Sequence, residues 1–562
     1  MNFSRRTARA FVGRLPARLV WALAASWLLA GAALAQTTAP QAAEASAPPS
    51  PEMQVLLAMG QRIYREGLGS RGEPLKALGA GQTALSGAAA ACATCHRRSG
   101  YGSTEGQYSA RPITAAALFA EQTLAVRSPR IKAQLGSRQR PPYTEALLAR
   151  VLATGIDSSG KPLEPLMPHY ALNPQELQAL SAYLATLSLQ TAPGVDAEEI
   201  HFATVIQPGV SAERRRAMLD VMQAFFRDKG ANMRQDESRR EAGSMRMYRS
   251  YRKWVLHVWD LSGPSSGWAA QLDAHYREQP VFALLGGLGD SDWGPIHAFS
   301  ERFEIPALFA QTLMPQLQGG NQYNLYLSRG AALDGEVLAS YLAELNEGGT
   351  VVQVYRRSES ALVAAAALRR GMGADAGRLQ DLVLDGPPDA AFWDKAYAAK
   401  PGAMVLWLDA SDLQAAPSAP AALPVYVSYA LLGGKLPGQA FVEAGNVRMV
   451  YPSDPPPRHE SRLLRSKIWL HNKGLAVSQE AVQINTLFAI TVASDALGHM
   501  MDSFSRDFFV ERVEHVVGQT PAPSMFRSVS LGPGQRFLAK GASVVQLGTT
   551  GPQKALSPWV VP

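Results

Sequence analysis

The sequence predicts a multidomain protein in which a small all-α domain precedes a much larger α/β domain of two lobes. Three observations carry this. Apolar residues recur at helical spacing in the segments that open and close residues 52–190. From about residue 200 the rhythm changes to short apolar strands alternating with amphipathic helices, which argues for parallel sheets covered on both faces. That second part, at roughly 360 residues, is also longer than one hydrophobic core usually organises.

The elements follow in order. Residues 1–35 read as an export signal. Arg5, Arg6, Arg9, Arg14 and Arg18 come without an acid, Leu19 to Ala35 is uncharged, and Ala33-Leu34-Ala35 is a small-x-small cleavage site. The stretch is short for a membrane span of about 20 apolar residues, so cleavage and a periplasmic location are expected, with an uncleaved anchor as the alternative. Residues 36–51 are an Ala/Pro/Ser/Thr linker that cannot build a core. A helix over Met53 to Glu66 is expected to bury Met53, Val55, Met59 and Tyr64. Another, opening at Asn173-Pro174, puts Leu177, Leu180, Tyr183, Leu184 and Leu187 on one face. Thr191-Ala192-Pro193-Gly194 marks a boundary, and the second domain occupies residues 200–562.

In that domain the expected strands are 202–206, 255–261, 281–285, 305–308, 350–354, 381–384, 403–408 and 425–429. The expected helices are 211–229, 267–278, about 290–302, 333–345, 358–370 and 388–397. A helix-rich tail over 479–518 ends in strands near 525–531 and 543–547. The longest later uncharged run, Leu413 to Gly434, is broken by Pro417, Pro420 and Pro424 and reads as loop plus buried strand. No integral span is therefore expected after signal cleavage.

Composition excludes several classes. With 47% hydrophobic and 18% charged residues, the chain is neither disordered throughout nor fibrous. The net charge of +7 falls to +2 once the five signal arginines are set aside. Of this, residues 52–190 hold 14 Lys+Arg against 9 Asp+Glu, so a basic small domain joins a slightly acidic large one, and nucleic-acid binding is not expected. No repeat of fixed period and no phosphate-binding P-loop occurs; Gly286-Gly287-Leu288-Gly289 lacks the third glycine of a dinucleotide fingerprint.

Cys92-Ala93-Thr94-Cys95-His96 holds the chain's 2 cysteines. A disulfide between positions i and i+3 closes too short a loop to contribute much. A redox dithiol needs a βαβ context that the flanking sequence does not supply. A zinc site lacks a second cysteine pair, although distant histidines could complete one. The favoured reading is attachment of one covalent haem c: two thiols one helical turn apart form thioethers with two vinyl groups, and the adjacent His96 is delivered as proximal ligand. Export agrees with it. For the opposite axial position, Met167 lies in a turn-rich segment just before the closing helix, with Pro168 stiffening the chain; His169 is the competitor.

With these motifs in view, residues 52–190 resemble class I cytochrome c domains. The resemblance is carried by Gly60 and Tyr64, Cys92-Ala-Thr-Cys95-His96, Pro112-Ile113, Met167-Pro168 and Leu180/Tyr183/Leu184. It implies that first and last helices cross, with Gly60 at the close approach and Tyr64 and Tyr183 filling it. It also implies that the Pro112 carbonyl accepts the proximal histidine's proton, fixing its tautomer. A departure is the long basic segment between Pro112 and Met167, with Arg127, Arg130, Lys132, Arg138 and Arg140, which could shield a haem edge or form a docking face.

Residues 200–547 are similar, at the level of pattern, to type I periplasmic solute-binding proteins, the class of branched-chain amino-acid receptors. The similarity runs through 255–264, 280–287, Ile305-Pro306-Ala307 and 531–536. It implies a small-molecule ligand between two lobes, with helix N-termini offering N–H groups to a carboxylate. The candidates are Ser262, Gly287, Ser291 and Thr312, of which Ser262 and Ser291 also read as plain helix caps. Asp290 and Asp292 beside Trp293 read as a solvated helix start. His257, His275 and His297 are too scattered for a zinc box.

The expected function is one-electron transfer, not catalysis, with a redox partner protein such as an exported dehydrogenase or another cytochrome. The alternative is a solute receptor whose haem responds to ligand capture.

Overall fold

The computed structural model describes residues 50–105, 108–120, 140–241, 252–318, 322–345, 348–500, 503–519 and 523–562, excepting the side chains of 105, 108 and 232–241. The export signal, nearly all of the linker, and Arg127, Arg130, Lys132 and Arg138 lie outside these residues.

In the N-terminal domain, helix α1 (Pro51–Glu66) starts two residues earlier than expected. Its buried face is Met59, Gly60, Ile63 and Tyr64, whereas Met53 and Val55 are exposed. The one-turn helix α2 (Ala93–His96) carries the cysteine motif. Then come α3 (Ala115–Phe119), α4 (Glu145–Thr154) and α5 (Pro174–Thr186). The start of α5 is encoded by a capping box: Asn173 accepts from the Glu176 N–H, and the Glu176 carboxylate accepts from the Asn173 N–H. A Cβ on Gly60 would stand 2.1 Å from the Ala179 carbonyl oxygen, so α1 and α5 touch backbone to backbone there. The Tyr64 and Tyr183 rings meet beside it at 5.4 Å.

The domain is not all-α. Strand β1 (Lys76–Leu78) pairs antiparallel with β2 (Ala84–Ser86) and with β5 (His169–Tyr170), and a hairpin joins β3 (Thr104–Glu105) to β4 (Tyr108–Ser109). These strands are too short to leave an alternating pattern in the sequence.

The rest of the chain builds two sheets. The first lobe contains β6 (Glu199–Ile206), β7 (Lys253–Asp260), β8 (Ala283–Leu285), β9 (Leu288–Gly289), β10 (Ala307–Leu308), β11 (Gln311–Thr312) and β12 (Asn324–Leu325). Its order is β11-β9-β6-β8-β10-β12, with β7 also on β6, and every pairing is parallel. It is covered by α6 (Ala212–Glu241), α7 (Trp268–Glu278) and α8 (Gly294–Arg302). Helix α6 begins where Ser211 Oγ accepts from the Arg214 N–H, and it continues beyond the expected end at Lys229.

The second lobe holds β13 (Val351–Arg356), β14 (Leu379–Leu384), β15 (Ala403–Trp407), β16 (Val425–Ser428), β17 (Val447–Tyr451), β18 (Ser543–Gly548) and β19 (Gly551–Ala555). They run β14-β13-β15-β16-β17-β18-β19, parallel as far as β17 and antiparallel after it. Helices α9 (Ala331–Leu345), α10 (Glu359–Met372), α11 (Ala390–Ala398) and α12 (Gln439–Glu443) accompany this sheet. Alternate residues of β13 and β15 enter different cores: Val351, Tyr355, Val405 and Trp407 in one, Val352, Val354, Met404 and Leu406 in the other. This is the two-sided burial that the apolar runs predict.

The chain crosses between lobes three times, after Leu327, after Tyr451 and after Leu538. The second crossing leads into α13 (Arg458–Asn472), α14 (Glu480–Gly498) and α15 (Arg506–Val516), which pack into the first lobe's core. Helix α14 is long and apolar enough to cross a membrane, and it is largely buried in that core. Strand β17 and helix α13 were not anticipated; α13 exposes Leu464 and Ile468, which blurs its apolar stripe. No strand forms over 525–531. The backbone there is satisfied by side chains instead, Arg462 donating to the Ser524, Met525 and Phe526 carbonyls and Asn485 accepting from the Met525 N–H.

Candidate haem site and its surroundings

The site begins with one helical turn. The His96 N–H donates to the Cys92 carbonyl at 2.9 Å, so Cys92, Cys95 and His96 occupy a single turn. The two cysteines do not form a disulfide; Cys92 is buried and Cys95 exposed. Burial pushes the Cys92 thiol up to about 12. The turn stops at Arg97, whose φ of +62° is unusual for a residue with a Cβ. Tyr64 from α1 donates its hydroxyl proton to the Arg97 carbonyl at 2.7 Å and pins that conformation.

The chain then folds back beneath His96. The Gly102 N–H donates to the His96 carbonyl at 3.0 Å, and a Cβ on Gly102 would stand 1.9 Å from the Ala110 oxygen. That close approach delivers a carbonyl to the imidazole: Nδ1 of His96 lies 2.9 Å from the oxygen of Arg111. The acceptor is therefore Arg111 and not Pro112, as the resemblance implies. Proline holds the residue before it in extended backbone, so Pro112 acts on the carbonyl of its predecessor.

A carbonyl only accepts, so Nδ1 carries the proton and Nε2 presents a lone pair. Burial lowers the basicity of His96, favouring this neutral form. Among the described residues no partner stands at Nε2. A neutral imidazole with a fixed tautomer, next to two thiols on one turn, fits the donor set of a covalently attached haem.

Met167 is half-buried and packs against the core cluster that contains Cys92, Tyr64 and Leu180. Its loop is ordered from within: Asp157 Oδ1 accepts from the Ser159 and Lys161 N–H groups, and the Met167 N–H donates to the Glu164 carbonyl. His169 is exposed and paired with Leu78 in the β5–β1 ladder, its Nε2 crowding Gly155. Arg140 donates to the Ser158 hydroxyl and stacks over the Tyr143 ring at 4.4 Å, bracing the loop.

Of the solute-site candidates in the first lobe, Ser262, Gly287 and Ser291 follow strand ends while Thr312 lies within β11, not in a strand-to-helix loop, and each already has a local task. Ser262 is exposed and bonded through its N–H to Gln271. Gly287 has φ +118°, and a Cβ there would meet Trp293 at 2.9 Å. The Ser291 N–H donates to Gln207 Oε1, and Thr312 Oγ1 accepts from the Met314 N–H. Thr312 pairs with Gly289, close in sequence to Gly287 and Ser291, whereas Ser262 follows β7 on the other side of β6.

Two further clusters were not expected. His459, Glu460 and Glu480 have metal-like spacing, but Lys467 Nζ bonds both carboxylates, at 2.6 and 2.7 Å, and supplies the cation itself. The other is a charged seam between the haem-site turn and α15. Arg98 Nε stands 3.2 Å from Asp507, the Ser99 N–H 3.0 Å from Glu511, and Arg97 pairs with Glu514. The i, i+4, i+7 spacing of those acids was a readable signal of one helix face; its target was not.

A family model described as cytochrome c matches residues 80–188. No curated protein matches the chain. Among solved structures, the chain is similar to the branched-chain amino-acid substrate-binding protein LivJ of Streptococcus pneumoniae in complex with isoleucine, at 12% identity and TM-score 0.45, covering 65% of this chain and 100% of that one. It is also similar to the leucine-binding protein LivK of Thermotoga maritima, at 12% identity and TM-score 0.45, covering 65% and 99%. An ABC transporter substrate-binding protein of Sphaerobacter thermophilus gives 12% identity and TM-score 0.47, covering 65% and 98%. The match to the cytochrome c family takes in Cys92, Cys95, His96 and Met167.

Proposed function

We propose that this protein transfers single electrons in the periplasm through one haem c, held by Cys92 and Cys95, with His96 as proximal and Met167 as distal ligand. In this reading residues 1–35 are removed on export, residues 52–190 form the haem domain, and residues 200–562 form a solute-binding-like domain. The observation that carries it is the buried His96, its Nδ1 committed to the Arg111 carbonyl and its Nε2 without a partner among the described residues. Bound there, haem c supplies a ferric/ferrous couple.

The chain's own residues do the rest. Arg111 keeps the imidazole in one tautomer and raises its basicity as a ligand. Tyr64 holds the turn end, and the α1–α5 crossing keeps that turn rigid. Met167 lies against the same core, and a thioether ligand raises the potential relative to a second imidazole. A haem held by both His96 and Met167 would pass electrons on without activating oxygen, so the natural counterpart is a redox partner protein, an exported dehydrogenase or another cytochrome.

Met167→Ala in the haem-loaded protein is expected to abolish the sulfur–iron absorption signature while covalent haem is retained; His169→Ala is expected to keep it. The reverse result transfers the distal role to His169.

A second reading, a solute receptor whose haem responds to ligand capture, draws on one contact. The Asp292 N–H, next to Ser291 in the first lobe, donates to Glu359 of the second lobe at 3.2 Å. A small amino acid that raised the melting temperature and shifted the haem potential together would favour this reading; two independent responses would not.

A further inference from the structure

We propose that helix α15 of the first lobe belongs to the haem site: Asp507, Glu511 and Glu514 are positioning residues that hold the segment after His96 and set how readily the bound group is reduced. The proposal rests on the haem reading above and names a control on it that lies outside residues 52–190.

The residues that follow the proximal ligand, Arg97, Arg98 and Ser99, would face water if the small domain were only tethered by a linker. Here each is bound to α15. Arg97 pairs with Glu514, Arg98 Nε meets Asp507 at 3.2 Å, and Ser99 gives both its N–H and its hydroxyl proton to Glu511. Arg65 from α1 reaches Asp507 at 3.0 Å and Glu304 at 3.1 Å. The rings of Tyr101 and Phe508 stack at 4.0 Å.

The helix is itself immobilised. Ser505 caps it, and buried Arg506 donates to the carbonyls of Pro193, Val281, Phe282 and Phe303. Arg536 holds the second oxygen of Glu514 at 2.6 Å. The turn that carries His96 is thus fixed at its C-terminal side to a helix locked into the first lobe's core.

The charges of this seam are mostly withdrawn from water, where a unit charge acts more strongly than on an open surface. The oxidised group carries one more positive charge than the reduced group. A carboxylate in the seam therefore favours the oxidised form, and a guanidinium favours the reduced one. Neutralising the two kinds of residue moves the potential in opposite directions, which loosened packing alone would not do.

The test is a redox titration of the full-length, haem-loaded chain at about pH 8.5, where Glu511, pushed up to about 7 by burial, is ionised. Asp507→Asn and Glu511→Gln are each expected to raise the midpoint by at least a threefold change in the reduction equilibrium, about 28 mV at 59 mV per tenfold for one electron. Arg97→Met is expected to lower it by a similar factor, because Glu514 keeps Arg536. Glu480→Gln, whose partners lie at the second lobe crossing, is expected to leave it in place. Midpoints that stay within threefold in all three seam variants, or that move in one direction, overturn the proposal. Should the acidic variants not accumulate with haem, Arg97→Met decides alone: a lowered midpoint supports the proposal, an unchanged or raised one overturns it. A wild-type chain without covalent haem defeats the underlying reading, whereas loaded chains with unmoved midpoints defeat only this one.

Discussion

The small N-terminal domain and the two-lobed remainder hold themselves together by different means. Each lobe has a seven-stranded sheet, and the second lobe's is buried on both faces. Of the twelve largest side chains buried to under 2% exposure among the described residues, only Tyr64 belongs to the small domain. That domain relies on close backbone contacts at Gly60 and Gly102, a one-turn helix, and strands of two or three residues. A region built this way draws stability from what is attached to it, here helix α15 and, in the proposed reading, a covalent group. The lobes are expected to fold chiefly on apolar burial.

That contrast can be broken or sharpened by substitution. The largest effect is expected at Gly60: Gly60→Val forces side-chain carbon into the Ala179 carbonyl and is expected to cost about 3 kcal/mol or more. Two-step thermal unfolding should show the haem-domain transition lowered and the lobe transition in place; a single shared shift would erase the distinction. Next is Arg506→Met, which takes this donor from two buried carbonyls, Val281 and Phe282, and two part-buried ones, Pro193 and Phe303. A loss of about 3 kcal/mol in denaturant unfolding of the lobes is expected, and the haem domain should loosen with them because α15 carries the seam.

A smaller effect is expected from acid. Burial alone would raise Glu480, but hydrogen bonds and charge from His459 and Lys467 bring its carboxyl down to about 2 from an ordinary 4.5. Its contribution is therefore fully present above about pH 4.5 and lost as pH falls toward 2. After solvent screening it amounts to about 1 kcal/mol. Glu480→Gln should flatten the lobes' acid-unfolding curve in that window and leave the small domain's curve unchanged. The smallest change belongs to Arg98→Ala. Its pair with Asp507 is partly exposed, so a loss of about 0.5 kcal/mol is expected, read as a slight fall in the haem domain's melting temperature.

The sequence revealed the two regions unequally for physical reasons. The cysteine motif, Gly60, the Asn173 cap and the long parallel strands are local signals, each set by its own neighbours, and the structure has them in the expected elements. The Arg111 carbonyl is different, because a backbone oxygen carries no residue-type signal; Pro112 marks the right loop but the wrong atom. The short strands β1, β2 and β5 have two or three residues each, and β5 pairs with β1 across about ninety residues, so no local period reports them. Ser262, Gly287, Ser291 and Thr312 were read from strand-to-helix punctuation, and that punctuation is explained by Gln271, Trp293, Gln207 and Met314. The seam was half legible: three acids on one helix face and three arginines elsewhere could be seen, but their meeting is a tertiary fact.

The central claim is the covalent haem on residues 92–96. The most direct test is the visible spectrum and haem stoichiometry of the full-length protein, produced in a host that matures such proteins and then denatured and extracted with acidified organic solvent. The account predicts one haem per chain that stays with the polypeptide through extraction and is lost in the Cys92→Ser, Cys95→Ser double variant. A colourless protein with both thiols titratable, or haem that leaves with the solvent, would contradict it.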